Sequence, residues 1–438
     1  MQLSELAGKR VLVLGLGTSG RSAAAFCASR GCEVVAADEK LSEPVSGLPK
    51  SVSVVLGRLP DLAGFDLIVP SPGVPPARYA GSDALVWGDI ELAFRALQVP
   101  VIAVTGTNGK STTVLLLETL LRGLGRRVRA AGNLGVPALS LVGEALDVAV
   151  LEVSSFQLET TESFRPRIGV LLNLSPDHLD RHGTLSAYAD AKARLFRRQE
   201  PSDTAIVDGD DPRCVALAER GAARLLRFSR SDPAADAWWD GEAACLSATG
   251  ETIRLEFDEP RWRAMPRQNL LAALLAVQAS ELDVRAALPA LAGFAALPHR
   301  LQEVGCVRGV RFVDDSKATN PAAAAAALEA TQKPIVWIAG GRDKQLPLGA
   351  LMESAKRHAR RAVFYGEAAA ALAAAAAGSF PADCVAEFDA AVTRGFEHAR
   401  PGDTLLLAPA CASFDQFASF EARGDAFRAI ARRLEKPS

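Results

Sequence analysis

The stretch Val101-Ile102-Ala103-Val104-Thr105-Gly106-Thr107-Asn108-Gly109-Lys110-Ser111-Thr112 constrains this chain more than any other. An apolar, β-branched run stops at a glycine-rich turn, which passes through a lysine and two hydroxyl residues into the helical pattern Val114-Leu115-Leu116-Leu117-Glu118. That order reads as strand, phosphate loop, helix. Backbone N–H groups of the loop and the positive end of the helix would hold phosphate oxygens. Lys110 would reach the outer phosphates, and the Ser111 hydroxyl would take a magnesium ion. The spacing departs from the general phosphate-loop pattern, because Gly106 stands three residues before Gly109 instead of five. A plain Gly/Asn turn after a buried strand is the bland alternative, and Gly-Lys-Ser at a strand-to-helix junction argues against it.

A chain of 438 residues is long enough for two to four domains, each with its own core. Its 49 Lys and Arg nearly balance 51 Asp and Glu, so composition points to no nucleic-acid partner, and any phosphate binding must come from local groups. The seven cysteines, at 27, 32, 214, 245, 306, 384 and 411, are scattered without metal-type pairing, which predicts reduced thiols in a cytoplasm. The apolar run Val11–Leu14 is too short for a signal core. The alanine run after Glu367 is too weakly hydrophobic to span a bilayer, so no membrane insertion is expected.

Taken in order, Arg10–Leu14 reads as a strand leading into Gly15-Leu16-Gly17-Thr18-Ser19-Gly20, an alanine-rich helix to Arg30, and a strand Glu33–Ala37 ending in Asp38-Glu39. This is a dinucleotide fingerprint, and it keeps a nicotinamide-dependent oxidoreductase open. Physically it states only that a helix N-terminus meets a diphosphate, and a sugar nucleotide carries one too. A further strand, Asp66–Val69, ends at Ser71-Pro72-Gly73, where ligands of open parallel sheets collect.

Beyond the phosphate loop, the nearly continuous apolar run Asp147–Val153 is interrupted by Glu152 and followed by Ser154-Ser155-Phe156-Gln157. A carboxylate in a strand buried on both faces is costly unless it is paired or bound to a cation. His178 stands past the tip of the next strand, Ile168–Leu172, and Asn133 lies in a neighbouring loop. Singly, Glu152 reads equally as a satisfied structural acid and His178 as a cap. Beside a phosphate loop in one sheet they read as a magnesium-nucleotide site. On the following helix Leu185, Tyr188, Leu195 and Phe196 share one face with Lys192, while Arg194, Arg197 and Arg198 point away from it. Such a lysine either snorkels to the surface or reaches an anion in the site. The segment 201–260 holds short strands and turns, and Asn269 then opens an Ala/Leu helix where it could meet a base or a phosphate. In the last third, three strands end in polar clusters: Asp314-Asp315-Ser316-Lys317-Ala318-Thr319-Asn320, Gly340-Gly341-Arg342-Asp343-Lys344, and Ala408-Pro409-Ala410-Cys411-Ala412-Ser413-Phe414. They define a third site, and the runs Ala322–Ala327 and Ala368–Ala377 read as packing helices.

With Gly132-Asn133-Leu134-Gly135, Glu152–Glu159, Asp177–Arg181, Leu297–Arg300, Asp315–Asn320 and Pro409–Asp415 in this order, the chain resembles the Mur ligases, the ATP-dependent amide-forming enzymes of peptidoglycan assembly. The short loop Thr105–Thr112 is a hallmark of that family, and the resemblance runs along essentially the whole chain. It implies an α/β fold of three domains. A Rossmann-like UDP-binding domain would occupy residues 1–97, a P-loop ATPase-like domain with a mostly parallel sheet 98–296, and a second Rossmann-like, amino-acid-binding domain 297–438. It also implies a cytoplasmic, monomeric enzyme that adds glutamate, of the D hand, to UDP-N-acetylmuramoyl-L-alanine, with ATP and Mg2+ as cofactors.

Residue by residue, the resemblance implies that Gly106 to Thr112, Asn269, Arg300 and Asp315 contact ATP. Gly17, Thr18, Ser19, Asp38, Glu39, Ser71, Gly73, Asn133, Ser155 and Gln157 would line the UDP-substrate cleft. Lys317, Thr319, Lys344, Ser413, Phe414 and Phe420 would hold the glutamate. Lys110, Glu152, His178 and Lys192 form the implied catalytic set, with Ser111, Glu152, His178 and a carbamylated Lys192 around the metal. One departure stands out: Met265-Pro266 replace the His-Asn pair that the family carries before the asparagine matched by Asn269, so an adenine-side contact differs. A related ligase for another amino acid or for folate polyglutamate, and an inactive nucleotide-binding scaffold, are the remaining alternatives. Because donor and acceptor sites fall on different domains, domain closure on ATP binding is expected.

Overall fold

The computed structural model describes residues 1–43, 45–248, 251–256, 266–294 and 297–435, so Met265, one half of the departure noted above, lies outside the described residues. By chain contacts it divides into two compact units. Among the described residues the first comprises Met1–Leu174 and residues 181–256 and 267–294; the second comprises Ser175–Asp180, Pro266 and residues 297–435.

Two sheets belong to the first unit. The N-terminal one contains β1 (Arg10–Leu14), β2 (Glu33–Asp38), β3 (Ser53–Leu56), β4 (Leu67–Pro70) and β5 (Leu85–Val86), all parallel, in the order β3-β2-β1-β4-β5. Chain order reverses between β1 and β4, so the glycine loop after β1 and the Ser71 turn after β4 flank the crevice where such sheets bind ligands. The Ser71 hydroxyl donates to the Gly15 carbonyl across it at 2.8 Å.

The second sheet is built from β6 (Val101–Thr105), β7 (Val128–Gly132), β8 (Val148–Glu152), β9 (Ile168–Leu171), β10 (Thr204–Asp208), β11 (Arg224–Ser229), β12 (Ala237–Trp239), β13 (Ala244–Ala248) and β14 (Glu251–Leu255). Its order is β14-β13-β12-β11-β10-β9-β6-β8-β7, parallel except for the β12-β13-β14 edge. All five residues of β6 are buried, as expected of a central parallel strand covered by helices on both faces. The phosphate-loop helix Lys110–Gly123 packs against Arg267–Ala279, which buries every residue from Asn269 to Val277 and shows almost no polar face.

The second unit carries β15 (Gln302–Val307), β16 (Val310–Asp314), β17 (Ile335–Gly340), β18 (Ala359–Tyr365), β19 (Ala382–Val385) and β20 (Thr404–Ala410), in the order β15-β16-β20-β17-β18-β19. Only the β15-β16 pair is antiparallel. Adjacent parallel β16, β20 and β17 bring their C-terminal ends, and the three polar clusters read from the sequence, to one sheet edge. The alanine runs form the helices Pro321–Ala330 and Ala369–Ala376. Among the described residues no helix is long and apolar enough to cross a membrane.

Candidate functional site

The loop after β6 is shaped by its glycines and by an asparagine from the neighbouring strand. Gly106 has φ +149° and Gly109 φ +86°, and a Cβ on Gly109 would collide with the Asn269 side-chain oxygen. Asn269 is thus placed against the phosphate loop from a point far along the chain. Asn173, just past β9, accepts from the Asn108 N–H at 2.9 Å and donates to the Asn108 carbonyl at 3.1 Å, and its own carbonyl takes the Thr107 N–H. The Lys110 ammonium donates to the carbonyls of Gly106 and Thr107 at 2.9 and 3.0 Å. Ser111 is buried at the first turn of the helix, and Thr112 beside it is half-buried.

Lys192 does not snorkel. It is 1% exposed, and its ammonium donates to the Gly106 carbonyl at 2.9 Å and to Thr105 Oγ1 at 3.4 Å, 4.5 Å from the centre of the Tyr188 ring. The ring's hydroxyl reaches Thr107 Oγ1. Arg194, Arg197 and Arg198 leave that stripe and clamp the carbonyls of Leu158, Thr161 and Glu162. Glu152, at the end of β8 and 2% exposed, accepts from Asn133 Nδ2 at 2.9 Å through Oε1. Its buried Oε2 has no hydrogen-bond partner among the described residues. In a low-dielectric strand tip such an oxygen calls for a cation or a donor.

At the N-terminal sheet, Asp38 closes the glycine loop: it accepts from Leu16 N at 2.9 Å and from Lys40 and Leu41 N. Partial burial raises its pKa, but these backbone bonds outweigh it and hold the carboxyl below its ordinary range. Glu39 pairs with Arg78 at 3.2 Å. Gly17, Thr18 and Gly73 are exposed, and Ser19 is half-buried.

Two residues expected at this cleft also have partners within the protein. Gln157 accepts from Ser154 N with its oxygen and donates to Asp89 Oδ2 at 2.9 Å with its nitrogen, and Asp89 is buried deeply enough that its pKa is raised. The Ser155 hydroxyl meets His182 Nε2 at 3.0 Å. His182 Nδ1 lies 3.3 Å from Glu159, which also takes Arg181 at 2.7 Å. Asn173, Asp89 and His182 were not singled out from the sequence. His182 alone carried a signal, four residues after His178 in a polar run.

In the second unit, Asp315 N is held by the Leu407 carbonyl, and its carboxylate accepts weakly from Leu301 N at 3.4 Å. Burial pushes its pKa up to about 7 against the pull of Arg300. The Lys317 ammonium sits 3.9 Å from the centre of the Phe420 ring, and the Thr319 N–H folds back onto the Lys317 carbonyl at 2.7 Å. Lys344 pairs at 2.9 Å with Asp177 Oδ1, whose other oxygen takes Asn320 Nδ2 at 3.0 Å. Burial would raise the Asp177 pKa, but Lys344, His178 and Asn320 together lower it. Ser413 is buried, whereas Phe414 is 61% exposed. His178, with φ +53°, also belongs to this unit, while Ser111, Glu152 and Lys192 belong to the first.

Three family models match along the chain: "Mur ligase MurD-like, N-terminal domain" over residues 9–88, "Mur ligase middle domain" over 104–279, and "Mur ligase, glutamate ligase domain" over 299–411. A UDP-N-acetylmuramoylalanine--D-glutamate ligase of Pelotomaculum thermopropionicum is 39% identical over 99% of this chain and 100% of its own. One of Anaeromyxobacter dehalogenans is 41% identical over 98% of this chain and 99% of its own. Among solved structures, a pseudomurein peptide ligase type C from Methanothermus fervidus superposes with a TM-score of 0.64 at 17% identity. That likeness covers 98% of this chain and 100% of the other.

Proposed function

The chain belongs to the Mur ligase family, and on that premise we propose that it joins D-glutamate to the L-alanine carboxylate of UDP-N-acetylmuramoyl-L-alanine, with ATP split to ADP and phosphate. It is an ATP-dependent amide-forming ligase with the three-domain α/β architecture of that family. The full-length relatives named above carry that activity in their names, and no feature beyond the Gly15–Gly20 loop favours the oxidoreductase reading. We assign the domains as residues 1–97, 98–296 and 297–438, and the working form as a cytoplasmic monomer.

The observation that carries the reading is the phosphate loop, where Lys110 rests on the Gly106 and Thr107 carbonyls and the buried Lys192 side chain reaches the same Gly106 carbonyl. A carboxylate is a poor electrophile, so the γ-phosphoryl group of ATP passes to an oxygen of the alanine carboxylate, giving an acyl phosphate and ADP. Lys110 swings from its loop carbonyls to the transferring phosphoryl oxygens and offsets the charge spread over them. Gly106 to Gly109 orient the β- and γ-phosphates through their N–H groups, with Asn269, Arg300 and Asp315 on the remainder of the nucleotide. The glutamate amine, uncharged and held by Lys317, Thr319, Lys344, Ser413 and Phe420, then attacks the acyl carbon; the acyl C–O bond breaks, the proton shed by the nitrogen passes to the departing phosphate, and the amide remains.

Magnesium fits the donors at hand. Among the described residues no three His, Cys, Asp or Glu side chains gather into a ready-made cation site. Within the first unit the candidate set is Ser111, the unpartnered Glu152 oxygen, and Lys192 as a carbamate formed by its neutral amine and CO2 with loss of a proton; the family resemblance adds His178. Bound there, the ion supplies Lewis-acid neutralisation of phosphate charge. As an ammonium Lys192 would repel it, so carbamylation is the form that suits the site.

The acyl-phosphate step is tested with UDP-N-acetylmuramoyl-L-alanine labelled with 18O in its carboxylate. One label atom per turnover is expected in the released phosphate, and unlabelled phosphate would overturn the mechanism.

A further inference from the structure

Arg423 lies in the amphipathic helix Phe420–Glu435, where an arginine ordinarily faces water, yet it is 0% exposed. Enclosing a guanidinium is costly unless all its protons find acceptors, and the usual remedy is a carboxylate. Among the described residues none lies within 4 Å of it. Even Asp415, whose two buried carboxylate oxygens make no hydrogen bond, stays outside ion-pair distance.

The guanidinium is satisfied by strand-tip oxygens. Nε donates to Ser316 Oγ at 3.0 Å, and Nη2 to the Ser316 carbonyl at 2.9 Å. Nη1 is shared among the carbonyls of Cys411, Ala412 and Gly340 and the Tyr365 hydroxyl, at 3.2 to 3.4 Å. Ser316 in turn donates to the Phe420 carbonyl at 2.8 Å. A Cβ on Gly341 would run into the Ala412 carbonyl and approach Arg423 Nη1, so the cradle is built to close dimensions.

Several of the anchored oxygens belong to the loops that carry the acceptor set. Ser316 precedes Lys317, Ala412 precedes Ser413, the Gly340 loop runs on to Lys344, and Phe420 begins the helix that holds Arg423. We infer that Arg423 is a positioning residue for the incoming amino acid, one planar fork fixing the three strand-tip loops and the helix start that carry its contacts. The inference rests on the acceptor reading of Lys317, Lys344, Ser413 and Phe420. Lysine cannot replace the fork, since its three donors radiate from one point. The phosphate loop lies in the other compact unit, and Asp315, the nucleotide residue beside Ser316, has its own anchors in the Leu407 carbonyl and the Leu301 N–H, so the effect is expected on glutamate first.

The test is steady-state kinetics of Arg423→Lys with each substrate varied in turn. The expected result is a KM for glutamate raised by about tenfold or more, with KM for ATP and for the UDP-sugar within about twofold of wild type, the scale of one or two lost hydrogen bonds. In Arg423→Ala, millimolar guanidinium ion is expected to restore part of the glutamate affinity, while equal sodium chloride does not. If the lysine variant does not fold, Ser316→Ala carries the test, with a rise of about threefold confined to glutamate. An unchanged glutamate KM, or a parallel rise in all three constants, would overturn the inference. Absence of turnover by the wild-type protein with glutamate would instead overturn the proposed function.

Discussion

Lys110 and Lys192 both donate to the Gly106 carbonyl, and with Lys192 proposed to act as a carbamate, Lys110 is the cation left to meet the phosphate charge. Lys110→Ala removes the cation that follows the phosphoryl group, so phosphate release should fall by about a thousandfold or more at saturating substrates. A malachite-green assay on the folded variant checks this, and wild-type release would refute the role. At this scale the sequence was legible where a residue broke its own pattern. Lys192 on an apolar stripe and Glu152 within an apolar strand both announced themselves. Gln157 and Ser155 also bond within the protein, to the capping box around Ser154 and to His182, partners that helix periodicity does not reveal. Arg423 was silent, since an arginine on an amphipathic helix reads as solvent face until the sheet ends folded over it are seen.

Among elements, the helix Asp89–Ala96 buries Glu91 entirely and presents it to the segment Glu162–Phe164. Its carboxylate accepts from the N–H groups of Glu162, Ser163 and Phe164, from the Ser163 hydroxyl, and from Arg95 Nε. Burial would raise its pKa, but these donors outweigh it and hold Glu91 below its ordinary range. Glu91→Ala strands those donors, and a loss of roughly 3–5 kcal/mol is expected, read as a lower urea midpoint. Asp208, at the end of β10, is the opposite case: burial, with Asp210 and Asp211 nearby, pushes it up to about 6.

Because the folded pKa of Asp208 lies above its unfolded value, its contribution is favourable below about pH 4 and is lost as pH rises through about 6. Two pKa units amount to roughly 3 kcal/mol. Asp208→Asn should therefore be less stable than wild type, or equal to it, at pH 4, and more stable at pH 8; parallel melting curves across that range would contradict the assignment. Elements were legible in the sequence where apolar runs stop at glycine or a polar cluster, as β1, β6, β8 and β17 do. The β12–β14 edge was not, because its strands are short and its alternation weak, and their pairing depends on a sheet assembled from distant segments.

For the whole molecule, the sheet orders explain why a linear reading could find three sites. In each parallel sheet the chain returns its strand tips to one edge, so motifs separated by a hundred residues converge without any local signal. Sequence order showed which clusters exist, while β20 lying between β16 and β17 is what joins those of the third site. On the proposed function these sites serve one amide-forming reaction with an acidic amino-acid acceptor. Phosphate release with UDP-N-acetylmuramoyl-L-alanine, ATP and magnesium, compared across D-glutamate, L-glutamate and L-alanine, tests it most directly. Release is expected to depend on the UDP-sugar and to be driven by D-glutamate well above the other two. Release indifferent to the acceptor, or no release with D-glutamate, would contradict it.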